Sequence, residues 1–246
     1  MNVGGREHQE DAIKVSSLKG STGKGMLTIL SDGMGGLAEG ERFSAIATEK
    51  MIQIFEQSPP LENPAEELQY CYSETQKIAI MSQPAEEAMM GGATVTAALF
   101  REGKCTCLSV GDSRIYLKRG DGLITINREQ TLGVRLDERA AMGILTWDQA
   151  KNNMNRGSLI AHLGRESGIE PDITSHPFSL KPGDIVLQMS DGVFGTLTDD
   201  EILQCLGTES LQEAANKIID ATIEKHKRHQ DNCSVLMTKV MLNTAE

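Results

Sequence analysis

The 246-residue sequence has little that would tie it to an oxidising compartment, a membrane or a nucleic acid. Its five cysteines, at 71, 105, 107, 205 and 233, are odd in number and form no CxxC pair. Neither a disulfide framework nor a zinc knuckle is therefore written into it. The five histidines (8, 162, 176, 226 and 229) lack zinc-like spacing. No apolar run approaches membrane length, and the polar start MNVGGREHQEDA holds no signal-peptide core. Basic residues are the minority charge, 24 Lys and Arg against 35 Asp and Glu, a net charge of −11. Nucleic acid and anionic membranes would repel such a chain. No internal repeat, low-complexity tract or linker divides it. We expect a soluble, reduced, cytoplasmic protein with no nucleic-acid or membrane partner, built as a single domain over residues 1–246.

What is present is a core, since 39% of residues are hydrophobic. The run 26–31 (MLTILS) reads as a buried strand. Phe43, Ile46, Ala47, Met51 and Ile54 recur at helical spacing. SPPLENP ends that helix, and Asn63 with Pro64 opens a second, striped by Leu68, Cys71, Tyr72, Thr75, Ile78 and Ala79. Runs 93–100, 104–110, 114–118 and 122–126 read as strands with short links, which implies antiparallel pairing. Cys105 and Cys107 alternate onto one strand face as buried thiols. Residues 127–158 are polar and partly helical, a surface insertion with a Thr146-x-x-Gln149 capping box. A strand at 184–190 follows, then helices opened by Thr198-x-x-Glu201 and Ser210-x-x-Glu213, and a last strand at 233–241. Strands in blocks point to an α+β fold of antiparallel sheets with helical pairs outside them.

One pattern recurs at the strand ends. MLTILSDG ends in Asp32-Gly33, DIVLQMSDG in Asp191-Gly192, and CTCLSVGDS in Asp112. Glu10-Asp11 and Asp231-Asn232 each stand just before an apolar strand. One strand-end Asp-Gly is usually a turn. Five acids in the same context, on strands whose ends gather at one edge of a sheet, would converge and need neutralising. Oxygen-only ligands suit Mg²⁺ or Mn²⁺ better than zinc. The glycine after Asp32 would let the Gly33 carbonyl approach a cation, and Gly35 and Gly36 would supply unusual backbone angles. Arg6, four residues before Glu10, has a fork suited to a phosphate oxyanion; an exposed arginine on an edge strand is the other reading. Gly91-Gly92 reads as a bend entering a core strand.

These residues, in order along nearly the whole chain, resemble the metal-dependent serine/threonine protein phosphatases of the type-2C (PPM) family, bacterial type. The resemblance rests on Arg6…Glu10-Asp11, SDGMGG (31–36), GGAT (91–94), SVGDSR (109–114), LIAHLG (159–164), SDG (190–192) and QDN (230–232). It implies a four-layer α-β-β-α sandwich, two antiparallel sheets flanked by helix pairs. It also implies a phosphoric monoester hydrolase acting on phosphoserine and phosphothreonine in proteins, its nucleophile a hydroxide bridging two Mg²⁺ or Mn²⁺ ions. By motif, Asp32 would bridge both ions, Asp191 and Asp231 would bind the first, and Glu10 with the Gly33 carbonyl the second. Asp11 and Asn232 would stand behind these ligands or reach the ions through water. Asp112 with Asp191 resembles a third, weaker metal site, and Arg6 would hold the substrate phosphate. The implied partners are phosphorylated proteins and an opposing serine/threonine kinase.

Three departures stand out. Met34 lies where many eukaryotic members have a histidine thought to protonate the leaving group, so the acid is unassigned. Gly195 stands where some members have another aspartate, which bears on the third site. The first motif begins at residue 6, so a short or missing first strand is expected. The 127–158 insertion resembles the flap beside the active site in bacterial members, or is a structural excursion. The alternative function is a catalytically inactive pseudophosphatase that binds a phosphoprotein or partner; the complete set of acids argues against it.

Overall fold

Strand β2 (Met26–Met34) sorts its side chains by parity, as the two-residue repeat of a strand requires. Leu27 and Ile29 face one way, into a cluster with helical residues. Thr28 faces the other, where its hydroxyl reaches across to Gln188. Leu30 and Asp32 share the parity of Thr28. The computed structural model describes residues 1–17, 23–35, 39–84, 91–207 and 210–241. Gly36 of SDGMGG lies outside the described residues.

Among the described residues one sheet has seven strands and the other four, all paired antiparallel. The larger runs β1 (Asp11–Val15), β2, β4 (Val95–Arg101), β5 (Lys104–Val110) and β8 (Asp172–Ile173). Short β3 (Gly92–Ala93) adds to β2, and β9 (Phe178–Ser179) to β5. The smaller sheet runs β11 (Val235–Lys239), β10 (Ile185–Met189), β6 (Arg114–Arg119) and β7 (Gly122–Thr125). Helices α1 (Glu39–Gln57) and α2 (Pro64–Met81) cover the larger sheet, where Phe43, Met51 and Leu68 meet Ile29, Leu99 and Leu108. Between α2 and the smaller sheet's covering lie α3 (Leu132–Ala141), α4 (Trp147–Lys151) and α5 (Asp191–Phe194) in chain order. Helices α6 (Asp199–Cys205) and α7 (Leu211–Glu224) cover the smaller sheet, where Ile202 and Ile218 meet Tyr116 and Leu187. A third cluster, Ala98, Cys105, Cys107, Ile115, Leu117 and Val186, lies between the sheets. Three apolar seams joining helices, sheet, sheet and helices make the α-β-β-α sandwich that the sequence led us to expect. Cys105 and Cys107 do share one face, their sulfurs 3.6 Å apart.

The helix signals form as read. Asn63 accepts from the Ala65 amide, and Thr146, Thr198 and Ser210 each close a capping box. Other readings need correction. The strand read as ending at Ser31 continues to Met34, so Asp32-Gly33 is strand rather than turn. It continues because both edges are paired: Asp32 opposes Asp11, and Gly33 opposes Ala93. The short β8 and β9 had no periodicity to announce them. The first strand, expected to be short or missing, is as expected only a bridge between Asn2 and Cys233. Gly91 and Gly92 are needed for packing, since a Cβ on Gly91 would overlap Phe43 and one on Gly92 would overlap His162.

The seam between the sheets is partly polar. Fully buried Gln188 donates to the Thr96 carbonyl at 2.9 Å and accepts from the Thr28 hydroxyl at 2.6 Å. Replacing it apolarly strands both partners. Gln188→Met should lower unfolding stability by about 1–3 kcal/mol in urea titration, the cost of unpaired buried polar groups.

Candidate metal centre

The two sheets end together, and the acids lie at that end. Asp32 is set by strand parity onto the inter-sheet face of β2, directly opposite Asp11 on β1. Asp191 is the first residue of α5, which follows β10 after Ser190. Asp112 sits in the β5–β6 turn after Gly111, and Asp231 just before β11. Arg6, Glu10, Asp32, Gly33, Asp112, Asp191 and Asp231 line one cleft of about 460 Å³. Met34, Thr94, Leu159 and His162 are also among its walls. Asp11 and Asn232 lie behind it. Arg6 is on a loop, not on an edge strand.

The glycines of both SDG triplets answer to close backbone approach. A Cβ on Gly33 would overlap the Gly40 carbonyl at the start of α1, and one on Gly192 the Asn232 carbonyl. Proximity of a neighbouring chain segment is thus a second reason for Gly33 beside the one proposed from sequence. Gly35, at φ 140°, takes an angle that favours glycine.

Second contacts hold the acids in place. The Asp32 amide donates to the Thr94 hydroxyl at 2.9 Å, and that hydroxyl lies 2.8 Å from Ser113 Oγ. Ser190 donates to Asp11 Oδ2 at 2.8 Å. The Asn232 carboxamide accepts from the Glu10 amide at 2.7 Å and donates to the Val3 and His8 carbonyls. One side chain therefore ties the loop bearing Arg6 and Glu10 to the end of the sandwich. Arg6 Nη2 lies 2.7 Å from Asp231 Oδ2.

The electrostatics show what these carboxylates lack. Burial first, and then Asp11 and Asp191, push the Asp32 carboxyl well above the usual carboxylate range. Burial and Asp191 raise Asp112 to about 7, and burial raises Asp11 to about 6. Asp191 and Glu10 are also raised, again chiefly by burial. Asp11 Oδ1 and Asp191 Oδ1 are buried without a hydrogen-bond donor. Among the described residues, no three His, Cys, Asp or Glu side chains are drawn tightly enough to cage an ion by themselves. The carboxylates instead ring an open cleft, an all-oxygen donor set that fits hard divalent cations.

The match that decides the family is broad: a model described as Protein phosphatase 2C covers residues 4–212. The chain belongs to the protein phosphatase 2C family. It is 30% identical to a 2C-type protein phosphatase by description from Streptococcus pyogenes, over 87% of this chain and 85% of that one. It is 26% identical to the serine/threonine phosphatase stp of Listeria welshimeri, over 95% and 91% of the two chains. A crystal structure of the catalytic domain of PstP in complex with two manganese ions superposes with a TM-score of 0.76 at 25% identity, covering 98% of this chain and 95% of that one. The Streptococcus agalactiae serine/threonine phosphatase shares the fold, with a TM-score of 0.83 at 21% identity over 97% and 96% of the chains. Among the described residues no helix is long and apolar enough to cross a membrane.

Sequence reasoning passed over His162, although it stands inside LIAHLG; a single imidazole within a matched motif was the available signal. It also gave no role to Thr94, Ser113 or Ser190, because support of a carboxylate by a hydroxyl has no fixed spacing.

Two outcomes follow for the metal-free protein. Folded Asp112 and Asp11 hold protons more tightly than an unfolded Asp, whose value is near 3.9. The folded state binds more protons between about pH 4 and 7, so stability falls as pH rises through that window. The melting temperature of chelated protein should be higher at pH 5.5 than at 7.5, and Mn²⁺ should raise the value at 7.5 more. Asp32→Asn should raise the metal-free melting temperature, by about 2–4 °C for each kcal/mol of repulsion relieved, and weaken Mn²⁺ binding in calorimetry.

Proposed function

We propose that this phosphatase hydrolyses phosphoserine and phosphothreonine in proteins, with all 246 residues forming one catalytic domain. The observation that carries the reading is the cleft itself. It gathers five acids and Gly33 at strand ends, with Asp11 just behind them, and burial together with neighbouring charge holds Glu10, Asp11, Asp32, Asp112 and Asp191 above the usual carboxylate range. PstP, named a serine/threonine phosphatase and solved with two manganese ions, supports the same assignment.

Two divalent cations, Mn²⁺ or Mg²⁺, would be held by Asp32 between them, by Asp191 and Asp231 on one side, and by Glu10 and the Gly33 carbonyl on the other. When bound they supply charge neutralisation and an activated, bridging hydroxide as nucleophile. Asp112 and Asp191 are the residues for a third ion. Lys227 lies close by, donating to the Gly195 carbonyl at 3.1 Å, where some family members have another aspartate.

The chain's own contribution is positioning. Arg6 and Asp231 pair at the surface, their side chains 51% and 37% exposed. Such exposed pairs are worth about 0–1 kcal/mol, so Arg6 is released cheaply to a phosphate and Asp231 to a cation. Asn232 keeps Arg6 and Glu10 at the cleft while this exchange occurs. Thr94 fixes the Asp32 backbone, so that the carboxylate meets its load without moving the strand. An opposing serine/threonine kinase would supply the phosphorylated substrates. An inactive binding protein would have no use for this concentration of destabilising acids.

The test is turnover of a phosphothreonine peptide with Mn²⁺ and with Mg²⁺. Activity should vanish with chelator and in Asp32→Asn; full activity in either condition overturns the reading. Arg6→Ala removes charge-assisted hydrogen bonds and should raise KM about tenfold or more, with a smaller change in kcat.

A further inference from the structure

The acid cleft holds an imidazole to which the cation reading gives no task. His162 lines the cleft beside Met34, and among the described residues it is the imidazole that does so. It also lines the neighbouring cavity of about 620 Å³ with Met34, Gly92 and Arg165, so its ring stands where the two spaces meet. The ring is held in place. Its Nδ1 lies 2.9 Å from the Leu163 carbonyl oxygen. A carbonyl only accepts, so Nδ1 carries a hydrogen and Nε2 is the nitrogen that gains or loses a proton. The absent side chain of Gly92 leaves the space that the ring fills. The Ala93–Leu163 bridge joins this segment to β3, which itself pairs with Gly33 and Met34.

The chemistry asks for such a group. Serine and threonine oxygens leave poorly as alkoxides, so an acid at the leaving group matters. Met34 has no proton to give. Arg6 does not deprotonate in proteins, and the carboxylates are committed to cations on the reading above. We propose that His162 is the general acid of this reaction, delivering its Nε2 proton to the serine or threonine oxygen as the phosphorus–oxygen bond breaks. The inference rests on the phosphatase reading. Water gives its oxygen and one hydrogen to phosphorus and releases its other proton to solvent. The leaving oxygen keeps the electron pair of the broken bond and takes the Nε2 proton. The ring, left neutral, regains a proton from solvent.

Burial lowers the His162 pKa, and Arg165 acts in the same direction. The other charges around the ring are Glu166 on its own segment, and Arg6 and the carboxylates across the cleft. A bound phosphate favours the protonated ring. The acid form is lost as pH rises, so peptide turnover should fall on the alkaline side with a limb set by His162.

The experiment compares wild type, His162→Asn and His162→Gln with Mn²⁺ on a phosphothreonine peptide and on p-nitrophenyl phosphate, whose leaving group departs without a proton. The asparagine amide nitrogen can take the place of Nδ1 and donate to Leu163, so a purely structural role would be restored in that variant. We expect the ratio of peptide to nitrophenyl kcat to fall by about a hundredfold or more in both variants, with loss of the alkaline limb. A ratio within about threefold of wild type in either variant overturns the proposal. Wild type that binds Mn²⁺ in calorimetry but turns over neither substrate overturns the phosphatase reading, and this assignment with it.

Discussion

The constraint on which the rest depends is the repulsion among carboxylates gathered at one end of the sandwich. Asp32, Asp11, Asp112 and Asp191 are each raised in proton affinity, with burial the largest cause and their neighbours' charge adding to it. Folding them together without cations costs free energy that the apolar seams must offset. The fold meets that cost with strand geometry rather than with ion pairs. Asp32 is locked in register between β1 and β3, and its amide is tied to Thr94. Among the described residues Arg6 is the cation in a salt bridge with an acid of the cleft, and it pairs at the surface, where the bond is weak. A stronger internal cation would stabilise the metal-free protein and compete with the ions that the cleft holds on our reading.

The same end of the molecule explains why two distant triplets have the same spelling. Each SDG sits where a strand end is crossed closely by another backbone, the start of α1 at Gly33 and the Asp231–Asn232 segment at Gly192. The aspartate faces the cleft in each case, and the glycine admits the crossing chain. Those crossings place the loop carbonyls and carboxylates of different segments within one cleft. Pairing acid with glycine is therefore a packing solution used twice, once within β2 and once at the start of α5.

Layers and site were legible to different degrees because they rest on different signals. The apolar runs MLTILS and DIVLQMS marked the two central strands, and the acids just past them marked one end of the sheets. Capping residues at Asn63, Thr146, Thr198 and Ser210 marked helix starts, because a cap is a local interaction between near neighbours. The continuation of β2 through Gly33 and Met34 was illegible. It depends on β3, a two-residue strand some sixty residues away. Asn232 was legible as a neighbour of the acids but not as the clasp of residues 3–10, since its partners are backbone carbonyls and an amide with no sequence signature. His162 was hidden for a related reason: its place in the cleft comes from pairing of Leu163 with Ala93.

The 127–158 excursion meets the cleft through its root rather than its tip. Gln130 accepts from the Gly111 amide through its side chain and donates from its own amide to the Gly111 carbonyl. Its side-chain amide also reaches the Glu170 carbonyl. Gly111 directly precedes Asp112, so the segment is clamped to the turn that carries one acid of the cleft. At its other end Thr131 bridges Leu159, which lines the cleft itself. Arg156 braces the interior of the segment with both oxygens of Asp137. Its outer part instead exposes Met142, Ile144, Trp147 and Met154 to solvent. The segment is thus joined to the cleft at Asp112 and Leu159, through Gln130 and the Thr131 bridge. Asp32 is joined to the same turn, because the Thr94 hydroxyl that accepts its amide lies 2.8 Å from Ser113 Oγ.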